Sequence, residues 1–530
     1  MTDSYPLSVN KESKLESADR KKLGRHGLIR WGMPALIFVA VLLAYTRVLI
    51  GDFSFVAWDD DTNIYSNSHI RKLDAESITW MFTDSSYIRR YVPLNWLTLA
   101  INYWFGGLNP WSYHAVGVLM HATNAVLLFW LLKRLCEIGF AERAKETVLA
   151  VGAAAGTLLW ALHPLRVEGV AWATAVIYSQ STLFFLVSML CYLRVVMSSD
   201  GTIFRSPMYW VSVLAFAASL CTHQIAITMV GVLVILDVYP LRRFGEVPGR
   251  WSNVRALGVW LEKLPFLGAS MAILGVTYWA RLHASGIWAP PPTWENFPLG
   301  ARIMQLLYVE GYYVWRPWWI SGYSPVYTAL VTNNFFSPIF VFSSVLVPAM
   351  TLGVIVLRKR WPVFLALWCC HIVLLLPVSG WFEHPHFTAD RYSYIQGMLW
   401  SVLMCVLVLW GWPRLQGARA RQGATIAAAL LLTVLGMKTL DQQMAWKDSE
   451  YLFKHAIATL GEDPYRANLH WRLGRYYVRQ GRWAEAIRSY DEAIRIYPNA
   501  AIIHQDREQA IMLEQEYRMR QQLLGDERAK

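Results

Sequence analysis

The 530-residue chain is 55% hydrophobic and only 16% charged, against roughly 25% charge in an ordinary soluble domain, which excludes a water-soluble enzyme of several packed cores. Its formal charge of +12 is scattered between apolar runs, and a charge without a patch excludes a nucleic-acid surface. The six cysteines (Cys136, Cys191, Cys221, Cys369, Cys370, Cys405) lie in or beside those runs without a Cys-x-x-Cys spacing, so neither a disulfide framework nor a zinc ribbon is predicted.

In chain order, residues 1–30 form a polar, basic arm, Lys11–Arg30 above all. It is too long to precede the core of a cleaved signal peptide, so Trp31–Ile50 reads as a retained anchor. Apolar runs then recur at 112–133, 147–162, 174–197, 208–222, 225–240, 262–280, 336–357, 361–377, 393–412 and 423–440. Each is about as long as a bilayer is thick, which gives about 11 spans and an all-helical, polytopic membrane domain over 31–440. Many of the 27 Trp and 26 Tyr crowd near the run ends, as interfacial aromatic belts do.

Basic residues cluster at Lys133/Arg134/Arg143/Lys145, Arg194/Arg205, Arg242/Arg243/Arg250/Arg255, Arg358/Lys359/Arg360 and Arg414/Arg419/Arg421. With the N-terminus inside, the positive-inside rule puts every cluster in the cytoplasm and all that follows Leu440 on the far side. The segment 300–320 carries Arg302, Glu310 and Arg316, and it is read as an interfacial or re-entrant helix. Two non-cytoplasmic segments are large: 51–111, with an amphipathic helix predicted near Leu73–Phe82, and 282–335, with Pro290-Pro291-Pro292. Shorter ones surround His163–Gly169, Thr222–Gln224 and Gly380–Arg391. These five segments are predicted to line one cavity at the membrane surface. The spans show no inverted repeat of the kind that secondary transporters carry.

Residues 441–530 change to soluble amphipathic helices. Leu473-Gly474, Tyr477, Gly481, Ala486, Tyr490, Ala493 and Pro498 stand at the offsets of a tetratricopeptide repeat, where small residues admit close helix packing and aromatics fill the gaps. Pro464 precedes Pro498 by one 34-residue period. Trp446–Leu460 is therefore read as the second helix of a degenerate preceding repeat, and Ala500–Leu524 as the capping helix. Such repeats dock proteins or peptides.

Chemistry is sought first in Trp58-Asp59-Asp60-Asp61, directly after the first span. Adjacent carboxylates repel, which raises the proton affinity of at least one, and such a group can act as a base toward a hydroxyl. A solvated acidic turn or an oxygen-rich cation site would read the same way from spacing. His163-Pro164-Leu165-Arg166-Val167-Glu168 and Asp390-Arg391-Tyr392-Ser393-Tyr394 sit at span edges on the same face. There they anchor the spans or meet an anionic headgroup; an arginine fork suits a phosphate. Glu383-His384-Pro385-His386 lacks a helical ligand spacing and is read as a polar turn, with no metal assigned. Without a GxGxxG, Walker or Gly-x-Ser-x-Gly motif, nothing points to a nucleotide-driven transporter or a serine hydrolase.

Taken together, Trp58-Asp59-Asp60, Pro93-Leu94, Phe105-Gly106-Gly107-Leu108-Asn109-Pro110 and His114 through His121 to Asn124 carry a resemblance. So do Leu162-His163-Pro164-Leu165 with Val167-Glu168, Leu236-Asp237 with Pro240-Leu241, Asp390-Arg391-Tyr392, and Trp446 leading into the repeat. The chain resembles polytopic glycosyltransferases of the GT-C fold with a tetratricopeptide tail: the transmembrane-and-tetratricopeptide O-mannosyltransferases of cadherins and their bacterial relatives. The resemblance implies a polyprenyl-phosphate-sugar donor held at the outer face of the membrane, and no further cofactor. Asp59 and Asp60 would be the catalytic pair that deprotonates an acceptor hydroxyl, with inversion at the anomeric carbon. Arg391, Arg166, His163, Glu168, Tyr394, His223 and Arg90 would bind substrate, the basic ones beside the leaving phosphate.

The chain departs from that family where a Glu-Arg-Lys-Asp-like run is expected and Ala175-Val176-Ile177-Tyr178 stands. His223 replaces a common lysine, and Val92 a basic residue before Pro93, with Arg90 nearby. The sugar is thus open between a hexose such as mannose and a pentose. The expected function is transfer of that sugar to Ser or Thr of an exported protein docked on the tail, a pilin-like surface protein being one candidate, at the periplasmic face of a bacterial inner membrane. Transfer to a glycolipid or polysaccharide, and a non-catalytic assembly scaffold, are the alternatives.

Overall fold

The computed structural model describes residues 27–140, 144–198, 203–245, 251, 253–283, 292–331, 336–381, 383 and 386–529. The basic arm through residue 26, Arg143, Arg250, Pro290, Pro291 and the His384-Pro385 pair lie outside them. Among the described residues every regular element is helical, and the one extended pairing is an isolated bridge between Tyr327 and Thr388.

Among the described residues, five helical stretches are long and apolar enough to cross a membrane: Pro110–Phe140, Ala173–Ser198, Ala256–Ala280, Pro338–Leu357 and Gly417–Trp446. Two bent pairs raise the number to seven if each is one span: Glu146–Ala161 with Pro164–Ala171, and Asp390–Gln396 with Met398–Arg414. The remaining predicted spans fall on shorter apolar helices, Leu28–Ala44, Pro207–Thr222, Gln224–Val238 and Pro362–Val378. Every predicted run thus coincides with an apolar helix, and length and composition alone mark five to seven of them as candidate spans. The chain is a multi-pass membrane protein. Leu36, Leu214, Val345, Leu352 and Leu430 point outward and exposed, a surface suited to lipid.

Close helix contacts rest on small and hydroxyl residues, as they must where apolar burial gives no preference for protein over lipid. A Cβ on Gly156 would run into the Ser401 carbonyl, and Gly152 faces Cys405; these two glycines let the bent Met398–Gly411 helix approach. Ser181 with Ser219 (3.0 Å) and Ser188 with Ser212 (3.1 Å) join Val176–Ser198 to Pro207–Thr222. At the other end of these helices from the tail, Asp237 pairs with Lys263 (2.6 Å) and Glu262 with Arg243 (2.6 Å), so these buried charges balance.

Segment 300–320 is one uninterrupted helix, Leu299–Trp315, followed by the turn Arg316–Trp318. It packs on Pro338–Leu357 and is not among the apolar stretches. Its buried Arg302 donates to the carbonyls of Phe297 (2.9 Å), Pro292 (3.1 Å) and Trp381, which ties the 292–298 segment to the 380 turn.

The tail is the helix Ser449–Leu460, the pair Arg466–Arg479 and Trp483–Ile496, and the long helix Ala501–Ala529. Asp448 caps the first of these by accepting from the Tyr451 amide at 2.9 Å. Leu469, Leu473, Tyr477, Ala486, Tyr490 and Ala493 form the repeat core. The Tyr490 ring occupies the space a side chain at position 474 would need, which is why glycine stands there.

Candidate active site

The first loop begins as extended chain and enters a helical turn at Asp60. Asp60 is fully buried, and both its oxygens are engaged. One accepts from the Val56 amide at 2.8 Å, the other from the Thr174 amide at 3.0 Å and the Thr174 hydroxyl at 2.6 Å. Burial pushes its proton affinity up, to a pKa of about 7, against these hydrogen bonds. Asp60 therefore clasps the first loop to the 173–175 turn and offers no free oxygen to a substrate. Asp59 differs. Its carboxylate makes no hydrogen bond among the described residues, and it remains half-buried. Burial raises its pKa as well, opposed by the charges of Arg90, Arg391 and Arg472 and reinforced by Asp61. Of the expected catalytic pair, only Asp59 has a carboxylate without a hydrogen-bond partner among the described residues.

Arg391 reaches this place from the edge of the bent span. It forms an ion pair with buried Glu168, whose second oxygen accepts from the Arg391 amide at 2.8 Å. Its Nε donates to the Tyr178 hydroxyl at 3.2 Å, and its guanidinium lies 5.5 Å from the Trp172 ring centroid. Glu168 thus orients Arg391. Tyr178, the residue standing in the Glu-Arg-Lys-Asp-like position, has become part of that support. His223 packs its ring 4.7 Å from Tyr178 and spends Nδ1 on the Ile225 amide at 2.9 Å.

Arg90 is exposed. The turn before it holds Ile88 at φ 49°, in the left-handed region that β-branched residues rarely enter. Such a conformation persists where its surroundings enforce it: Tyr87 donates to the Thr62 carbonyl at 2.8 Å, and Gln224 to the Tyr91 carbonyl at 2.8 Å.

Three further expected binding residues are engaged with partners of their own. Arg166 is buried, with both terminal nitrogens on Ser393, its carbonyl at 2.5 Å and its hydroxyl at 2.6 Å. His163 bridges the Leu165 amide and the Pro317 carbonyl, at 3.2 and 2.9 Å. Both line a separate cavity of about 240 Å³ between Leu159, Trp318, Trp400 and Leu435. Tyr394 is fully buried, its hydroxyl 2.6 Å from His121 Nδ1 and 3.4 Å from Asn124. It holds helices together. His386 of the polar turn has one ring nitrogen 3.2 Å from the Glu383 carboxylate and the other 3.0 Å from the Val378 carbonyl, both acceptors of an imidazole N–H.

The five outside segments do converge. His163 meets Pro317, Gln224 meets Tyr91, Arg391 meets Glu168, and the tail touches three of the five. Tyr323 and Thr328 bond His455 and Asp463 at 2.6 Å each, and Phe387 packs on Tyr465. Sequence reasoning missed Thr174, Trp172 and Arg472. No local pattern marks them, because each matters through a partner far along the chain.

Residues 467–500 match the tetratricopeptide repeat family. The human protein O-mannosyl-transferase TMTC1 is 26% identical over 90% of this chain and 56% of its own length. Human TMTC4 is 25% identical over 85% of this chain and 64% of its own length. The Xenopus laevis protein O-mannosyl-transferase tmtc2 is 31% identical over 37% and 23%. The chain therefore spans 56% and 64% of the length of the two human relatives. No solved structure matches the chain. Over most of its length the chain is similar to the transmembrane-and-tetratricopeptide O-mannosyltransferases, and its tail carries the repeat that the resemblance predicts.

Proposed function

We propose that the chain is an inverting GT-C-type protein O-glycosyltransferase that moves a sugar from a polyprenyl-phosphate carrier to Ser or Thr hydroxyls of an exported protein. The observation that carries this reading is Asp59: a half-buried carboxylate that makes no hydrogen bond among the described residues, with its proton affinity raised by burial against the charges of Arg90, Arg391 and Arg472. Asp59 takes the proton of the acceptor hydroxyl as its oxygen bonds to the anomeric carbon. The bond from that carbon to the carrier phosphate breaks, and the phosphate leaves with the electron pair. Arg391 and Arg90 offer the donors that stabilise the charge on the leaving phosphate, where electrostatic catalysis is most effective.

With 11 spans from a cytoplasmic N-terminus, Asp59 and the tail share the non-cytoplasmic side, the periplasm in a bacterium; the contacts between first loop and tail support this placement. The test is transfer by the full-length protein in liposomes, with polyprenyl-phosphate mannose and a polyprenyl-phosphate pentose as donors and a Ser/Thr-rich peptide as acceptor. Transfer from one donor that Asp59→Asn abolishes supports the reading. Wild-type turnover by Asp59→Asn sinks it, as does no transfer from either.

A further inference from the structure

The repeat does not hang free beside the membrane domain. Between residues 54 and 65 the first loop is fastened to the tail at successive points. The Ser54 amide donates to the Lys447 carbonyl and the Ala57 amide to the Ser449 hydroxyl, both at 2.8 Å. Trp58 packs against Phe453 with ring centroids 6.2 Å apart. Arg479 stands 3.9 Å from Asp61 and donates to the Tyr65 hydroxyl at 3.4 Å. Asp60, in the middle of this stretch, is held by the membrane domain through Thr174. Asp59 thus lies at the seam of the two.

Arg472 belongs to that seam. It rides on the repeat helix Arg466–Arg479 but adds nothing to the repeat core, which Leu469, Leu473 and Tyr477 already fill. Its guanidinium lies 5.1 Å from the ring centroid of Trp58, the residue before Asp59. Its Nε donates to Asn468 at 3.0 Å, and its two terminal nitrogens make no hydrogen bond or ion pair among the described residues.

We propose that the tail is a working part of the reaction site, with Arg472 as the positioning residue that holds the Trp58-Asp59 turn and sets the charge around it. The inference rests on the reading of Asp59 as the base. The groups that act on Asp59 are Arg90 from the first loop, Arg391 from the bent span, Arg472 from the tail, and Asp60 and Asp61 beside it. Glu168 takes the charge of Arg391, and Asp61 faces Arg479. Arg472 therefore adds its charge to those of Arg90 and Arg391 in favouring the ionised form of a desolvated carboxylate.

The test is the pH profile of sugar transfer by the full chain in liposomes, with the donor and peptide that support wild-type turnover. An opposite charge favours the ionised carboxylate, so its loss raises the pKa of Asp59. Arg472→Gln should move the acidic limb of kcat/KM to higher pH, with activity recovering toward wild type on the alkaline side. Arg472→Lys should keep the wild-type limb. Arg475→Gln removes the same charge from the same helix, where the side chain lies over Trp471, and should leave the profile in place. An unchanged Arg472→Gln profile, or the same factor lost at every pH, overturns the inference. Asp59→Asn, run in parallel, separates the failures: if it is inactive while Arg472→Gln is unshifted, only the role of Arg472 falls. If Asp59→Asn turns over normally, the base reading falls with it.

Discussion

Asp59 and Asp60 are neighbours of the same chemical type, and their surroundings give them opposite tasks. An asparagine at 60 has one acceptor oxygen for three donors, so it leaves an amide group facing Val56 or Thr174. A buried donor without a partner costs about 1–3 kcal/mol. Asp60→Asn should therefore lower the melting temperature and the amount of protein in membranes, whereas Asp59→Asn should leave both unchanged and remove transfer, typically about 10²–10⁴-fold. Purified protein in detergent, followed by thermal unfolding beside the transfer assay, reads the two apart. Equal melting temperatures would show that the clasp is dispensable. The raised pKa of Asp60 fixes a sign as well. Its folded pKa of about 7 lies above the usual carboxylate value, so the folded state binds more protons between about pH 4 and 7 and this group's contribution to stability falls as pH rises through that window. In Asp60→Asn that part of the pH dependence should be absent. The importance of the acidic run was legible in the sequence, but its division of labour was not, since Thr174 stands 114 residues away.

Helices were the most legible features because each announces itself over a dozen or more residues. The apolar runs, the capped Ala75–Thr83 helix and the repeat all appear where composition and spacing put them. The shorter apolar helices are harder to count as spans, since length decides; the bend at His163 falls where the sequence reading ends a span, whereas the bend at Gly397 divides the run 393–412 that it reads as continuous. Close approach gives a prediction at this scale. Gly156→Leu drives a side chain into the backbone of Ser401, and overpacking of a tight contact typically costs about 1–3 kcal/mol. Protein carrying it should unfold at lower temperature than Gly139→Leu, whose Cβ meets nothing. Comparable melting of the two would mean that the Glu146–Ala161 and Met398–Gly411 helices can separate without loss.

At the scale of the molecule, the decisive relation is that the tail lies against the loop bearing Asp59. A reporter active only outside the cytoplasm should work when fused after Ala445 and stay silent when fused at Arg360. The reverse pattern would put the tail on the other side from the proposed orientation. The sequence supported one common side through the positive clusters, yet it could not show contact, because Arg472 over Trp58 has no signature in either segment alone.

That contact also has a consequence for how the protein is made. The loop and the helix that fasten each other are separated by 392 residues between Ala57 and Ser449, so ribosomal synthesis delivers one long before the other. During insertion the early loop stands without its later half, and Trp58 has no Phe453 or Arg472 to pack on. Completion of the last repeat becomes the event that fastens the first loop, and a chain stalled or cut before it would enter the bilayer with the Trp58-Asp59 turn unheld.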